Sequence, residues 1–134
     1  MEHIAIQKPE WTVDKLQTLL CRCSIKKIAP YNKVLCGDKV YVKLGKFIRI
    51  EATISDYTQM EYDDINKVRD LCKGTRLYSG SRYWNKQPSQ GYATVIWLED
   101  YKPKQIRPRK KSYGSSWVVL DSEQKRREWI DLNA

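Results

Sequence analysis

The alternation across Lys39–Tyr57 constrains this chain most. Ile48, Ile50, Ala52 and Ile54 take turns with Phe47, Arg49, Glu51, Thr53 and Ser55. A period of two is the signature of a strand with one apolar face. Just upstream, Val40 and Val42 alternate with Lys39, Tyr41 and Lys43. The Leu44-Gly45-Lys46 link between these segments is short enough for a hairpin. Before them stands Gly37-Asp38, where glycine tolerates positive φ and aspartate can hydrogen-bond the turning backbone. The chain is therefore built on an antiparallel pair whose Ile/Ala face belongs to a core.

A chain of 134 residues predicts one domain spanning residues 1–134, with a core that needs neither disulfides nor metal. The net charge of +9 favours polyanionic partners, nucleic acid first and an acidic membrane second. Nine tyrosines and five tryptophans stand against one phenylalanine. Rings with a polar edge suit half-exposed positions where bases could stack, and suit barrel rims equally well. No run is long and apolar enough to span a bilayer, and the start of the chain lacks the pattern of a signal peptide. The expectation is a cytoplasmic protein that keeps Cys21, Cys23, Cys36 and Cys72 as reduced thiols. The Cys21-Arg22-Cys23 spacing is not the paired arrangement of structural zinc sites. Neither metal nor cofactor is expected.

Along the chain, His3–Gln7 reads as a strand. Thr12 can cap a helix with Asp14 in its first turn. Leu16, Leu19, Leu20 and Cys23 would form its buried stripe, with Arg22 near its end. A basic segment follows (Arg22, Ser24, Lys26, Lys27), then a turn at Ala29-Pro30-Tyr31-Asn32. Asp63-Asp64 start a second helix, with Ile65, Val68, Leu71 and Cys72 on one face and Gly74 as its stop. Residues 75–91 are irregular and carry Arg76, Tyr78, Arg82, Tyr83, Trp84 and Lys86. They read either as a nucleotide-binding lip or as a plug for the open end of a barrel. Tyr92–Leu98 reads as a central strand. Lys102–Lys111 holds six bases, no acid and two prolines, and reads as an extended solvated loop or a phosphate-tracking edge. Trp117–Leu120 is the last strand. Asp121 can cap a closing helix with Gln124 reaching back, and Trp129, Ile130 and Leu132 would dock it.

Catalytic motifs are sparse. One histidine, His3, argues against a His-dependent triad. There is no phosphate-cradling glycine loop and no H-E-x-x-H. Capping explains Asp63-Asp64.

The order of the pieces carries more than any single motif. A short helix is followed by Arg22, Ser24, Lys26, Lys27, Ala29, Pro30, Tyr31, Lys33 and Val34, then by Gly37, Asp38, Val40 and Lys43. With Tyr92–Leu98 and Ser116–Leu120, this resembles the ASCH group of the PUA-like β-barrels over nearly the whole chain. The resemblance implies an α+β fold: a small, mostly antiparallel barrel with helices packed on it. It implies a cleft between the barrel and the first helix. Arg22, Ser24, Lys26 and Lys27 would line it, with Tyr78, Tyr83 and Trp84 stacking a base. Arg107, Arg109, Lys110 and Lys111 would hold backbone, and Lys33, Lys43, Arg76 and Arg82 would add charge. Some ASCH proteins are amidohydrolases on acylated cytidine, and others have been described as ribonucleases. If the arginine of the family motif G-x-K-x-x-E-x-R is Arg22, its glutamate, lysine and glycine positions hold Leu20, Gln17 and Lys15.

The expected function is a nucleic-acid-binding module, RNA before DNA, taking an unpaired or modified nucleotide. The rival is a small RNA-processing enzyme in the same cleft, with Lys26, Ser24 and Tyr78 as candidate catalytic groups. A third reading is a basic protein–protein adaptor.

Overall fold

The computed structural model describes residues 1–8, 11, 19–109 and 116–130. Six strands make one mixed sheet: β1 (Glu2–Gln7), β2 (Leu19–Ser24), β3 (Lys39–Leu44), β4 (Phe47–Tyr62), β5 (Gly91–Ile106) and β6 (Trp117–Leu120). Their spatial order is β2-β5-β4-β3-β1-β6. All neighbours are antiparallel except β1 and β3. The sheet curls into a half-barrel, the α+β PUA-like architecture expected. Among the described residues three helices accompany it: α1 (Ile65–Asp70), α2 (Ser81–Asn85) and α3 (Glu123–Ile130).

The alternation of the sequence becomes an inside and an outside. Ala5, Leu20, Val40, Val42, Ala52, Ile54, Ile96 and Trp117 meet inside the curl. Leu19, Cys21, Ala93 and Val95 face outward on β2 and β5, and Val68, Cys72 and Trp84 cover them. A third cluster, with Ile4, Tyr41, Ile48 and Val118, receives Trp129 and Ile130 of α3. The register slips between Val42 and Lys43 on β3, leaving Arg49 unopposed. This bulge explains why Ile48 leaves the face shared by Ile50, Ala52 and Ile54.

Several expectations need correction. Leu19–Ser24 is a strand, where a helix was expected to run through Cys23. Both faces of β2 are buried, so its apolar residues show no clean period of two, and the helical spacing of Leu19, Leu20 and Cys23 is coincidental. The earlier part of that helix, with Thr12, Asp14 and Leu16, lies outside the described residues. Residues 75–91 are not one irregular loop, because Arg76–Ser79 form a 3-10 turn and Ser81–Asn85 form α2. β5 continues beyond Leu98 to Ile106, so Lys102 and Lys104 are strand residues. Both lie within ion-pair distance of the mostly buried Glu51. Leu71 is exposed, while Val68 and Cys72 are buried. Ser122, not Asp121, receives the N–H of Lys125 at the start of α3.

The predicted turns hold. Gly37 has φ of 91°, and Asp38 Oδ2 accepts the Leu35 N–H at 3.0 Å. Asp64 caps α1 by accepting the Asn66 N–H. No helix among the described residues is long and apolar enough to cross a membrane.

Candidate functional site

The candidate site, the mouth of the curl, is the inner face of β2, β5 and the second half of β4. Cross-strand partners share a face, so the register fixes what lies there. Leu20, Arg22 and Ser24 stand opposite Ile96, Thr94 and Tyr92. Those in turn stand opposite Tyr57, Gln59 and Glu61. Depth runs from the apolar floor of Leu20 and Ile96 to the polar rim of Ser24, Tyr92 and Glu61.

Arg22 is the centre of this arrangement. Its Nη2 donates to the carbonyls of Ile6 at 3.0 Å and Ser116 at 3.3 Å. Its Nη1 donates to the Cys21 carbonyl at 3.1 Å, and the guanidinium lies 5.7 Å from the centre of the Trp117 ring. β2 and β6 are the two edges of the sheet, so this one side chain ties the edges together. Burial pulls its pKa below the ordinary value, yet an arginine remains a cation at neutral pH. Arg22 has no carboxylate partner among the described residues.

A loop folds over the rim. Asn32, at φ of 60°, is clamped by Gln59: its N–H donates to Gln59 Oε1 at 2.8 Å, and Gln59 Nε2 donates to Asn32 Oδ1 at 2.6 Å. The Tyr31 ring meets Tyr92 edge to face at 5.3 Å. Lys27 Nζ lies 5.3 Å from the centre of the Tyr92 ring. Ser24 Oγ accepts the Lys26 N–H at 3.2 Å. Lys26 and Lys27 are exposed, as are Ile25 and Ile28 beside them.

Behind Trp117 a buried polar chain holds the wall. His3 Nε2–H donates to Asp38 Oδ2 at 2.9 Å, leaving His3 Nδ1 to accept the Trp117 Nε1–H at 3.2 Å. Only a neutral imidazole protonated on Nε2 satisfies both partners. Burial lowers the His3 pKa, outweighing the pull of Asp38. Burial raises the Asp38 carboxyl, but bonds from His3 and the Leu35 N–H prevail and lower it. The unfolded chain therefore takes up the His3 proton near its ordinary value of 6.5 while the folded chain still refuses it. The stabilisation from neutral His3 is full above that pH and is lost as pH falls; Asp38 adds loss in the same direction below its ordinary 3.8. Wild-type stability should fall as pH drops through about 6.5, with a slope of at most about 1.4 kcal/mol per pH unit. In His3→Asn that slope should be absent, as checked by urea unfolding at several pH values.

The structure divides the sequence-predicted residues. Arg22, Ser24, Lys26 and Lys27 come together at the mouth. Lys33 lines an adjoining groove of about 450 Å³ with Ala29, Trp117 and Trp129. Tyr78, Tyr83 and Trp84, expected to stack a base, belong to the outer cluster, apart from Arg22 and Thr94. Trp84 is 3% exposed and donates to the Leu77 carbonyl. Tyr83 donates to the Cys21 carbonyl at 2.8 Å, bracing β2 from outside. Tyr78 lies under the Arg69 guanidinium and therefore does not join Ser24 and Lys26. Arg76 and Arg82 are exposed on that outer side, and Lys43 Nζ donates to the Gly45 carbonyl in the β3–β4 turn. Arg107 is exposed, and Arg109 lines a groove with Glu123 and Arg127 of α3. Lys110 and Lys111 lie outside the described residues. Sequence reasoning missed Tyr31, Asn32, Gln59, Tyr92 and Thr94 as site residues. Strand parity would have put Gln59, Thr94 and Tyr92 on one face once the pairing was known.

Neither a protein-family model nor a curated protein matches the sequence. Solved structures do resemble it. The ASCH protein of Zymomonas mobilis superposes with a TM-score of 0.68 at 16% identity, covering 95% of this chain and 92% of that one. A tyrosine-to-phenylalanine variant of that protein gives 0.66 at 15% identity, over 95% and 94% of the two chains. A serine-to-alanine variant gives 0.66 at 15%, over 95% and 92%. At these identities the likeness is one of fold, and it agrees with the order of motifs in the sequence: the chain has an ASCH-like fold.

Proposed function

We propose that this protein is a nucleic-acid-binding module that takes one unpaired nucleotide, of RNA before DNA, into the mouth above Arg22. The observation that carries this reading is the cluster of Tyr31, Tyr92 and Lys27 over a floor of Arg22 and Thr94. Aromatic faces accept bases, and rim lysines meet phosphates. Asn32, Gln59 and Ser24 supply amide and hydroxyl groups for the base edge and the ribose 2′-hydroxyl. The net charge of +9 supplies long-range attraction. Binding is favoured over catalysis because the mouth's described groups are those of recognition. His3 is occupied by Asp38 and Trp117, and if Arg22 is the arginine of the family motif, leucine stands at its glutamate position.

Fluorescence anisotropy with labelled single-stranded RNA, duplex RNA and duplex DNA at two salt concentrations tests the reading. Single-stranded RNA should bind best, with affinity falling as salt rises. Tyr92→Ala should cost about tenfold, a typical loss for one stacked base, and leave the salt slope unchanged. Lys27→Gln should make the slope shallower by about one. Salt-independent or absent binding contradicts the proposal, and RNA cleaved during incubation moves it to the enzyme reading.

A further inference from the structure

Two buried polar atoms deep in the mouth, Arg22 Nε and Thr94 Oγ1, have no hydrogen-bond partner among the described residues. They belong to residues that are directly opposite on β2 and β5, so both side chains project to the same inner face. Thr94 is 1% exposed. Among the described residues the guanidinium's remaining contacts are three backbone carbonyls and the face of Trp117. None carries a negative charge. Buried donors without acceptors are costly and rare in folded proteins, and functional sites are where they concentrate.

We infer that this pair is a subsite for an acceptor oxygen, and that the nucleotide taken into the mouth presents a base carbonyl to it. The inference rests on the proposed function and deepens it by naming the base chemistry. The Arg22 Nε–H is a charge-assisted donor, and the Thr94 hydroxyl can turn to donate beside it. One oxygen with two lone pairs satisfies both. An exocyclic amino group would set donor against donor. Uracil, cytosine, guanine and hypoxanthine carry a carbonyl; adenine does not. Phosphate oxygens stay at the rim, where Lys26 and Lys27 are exposed.

The test uses labelled oligoadenylate with and without one central hypoxanthine, titrated against wild type and Thr94→Val. Valine keeps the shape and removes the hydroxyl. Wild type should bind the hypoxanthine strand about tenfold more tightly, the worth of one well-made hydrogen bond to a buried charged group. Thr94→Val should lose that preference and melt no lower than wild type, because the hydroxyl has no partner among the described residues. Equal wild-type affinity for the two strands overturns the inference while leaving the module reading intact. So does a preference that survives in Thr94→Val, or a lowered melting temperature in that variant. Inorganic phosphate that competes for the hypoxanthine preference in wild type but not in Thr94→Val would place a phosphate oxygen at the floor and also overturn it. Failure of wild type to bind either strand or any other RNA overturns both readings.

Discussion

Arg22→Met is expected to abolish RNA binding and to destabilise the fold by about 2 kcal/mol. Methionine preserves much of the stem's packing, so the loss isolates the guanidinium. That group bonds the Ile6 and Ser116 carbonyls, 16 and 94 residues away in sequence. It thereby joins the β2 edge of the sheet to the β1–β6 edge. Without it the two edges lose their polar link, and the Ile6 carbonyl loses a charged donor. Replacing a buried charge with an apolar side chain is sometimes neutral or stabilising. Here the acceptors are fixed backbone carbonyls that stay behind, which decides the sign. Arg22→Lys should recover little, since a single ammonium cannot span the Cys21, Ile6 and Ser116 carbonyls as the planar fork does. Urea unfolding with anisotropy on the same samples checks both halves. A variant that binds RNA normally would remove Arg22 from the site.

Gly91→Ala should have the larger effect on stability, about 3–5 kcal/mol. A Cβ at Gly91 would lie well inside van der Waals contact of the Ser24 carbonyl oxygen. It would also be 3.0 Å from the Ser24 carbonyl carbon and 3.3 Å from Ile25 Cα. All three are backbone atoms, so no side chain can swing aside. The glycine φ of 156° adds strain for any L side chain. Relief requires the end of β2 to move off β5, and that end carries Ser24 and the approach to Lys26 and Lys27. Binding should therefore weaken along with stability. Thermal unfolding of Gly91→Ala within a degree or so of wild type would contradict the close approach.

The same geometry shows how far the sequence could be read. The β3–β4 hairpin was legible because one face of each strand is apolar and the other polar. The Gly37-Asp38 turn was legible because its chemistry is local. β2 was not, because Leu20 faces the inner core while Leu19 and Cys21 face the outer one, which erases the period of two. The basic segment from Arg22 to Lys27 was found as a run, and the fold keeps it together at the mouth. The position of the aromatic residues relative to Arg22 was not legible. Tyr83 and Trp84 have the composition of a binding lip, but composition does not say which face of a sheet a loop will cover. Tyr31, Gln59, Tyr92 and Thr94 come from three separate elements, and only strand register brings them together. The contact between His3 and Trp117 spans 114 residues, a separation at which no local pattern carries information.

On the proposed function the ligand enters the inner mouth and not the outer aromatic cluster. Two-dimensional nitrogen–proton NMR separates these directly, because Trp117 marks the mouth and the Trp84 indole is held in the outer cluster by the Leu77 carbonyl. On adding single-stranded RNA, the Trp117 Nε1–H and Arg22 Nε–H resonances should shift while that of Trp84 stays in place. A shift at Trp84 with Trp117 and Arg22 unmoved would contradict the claim.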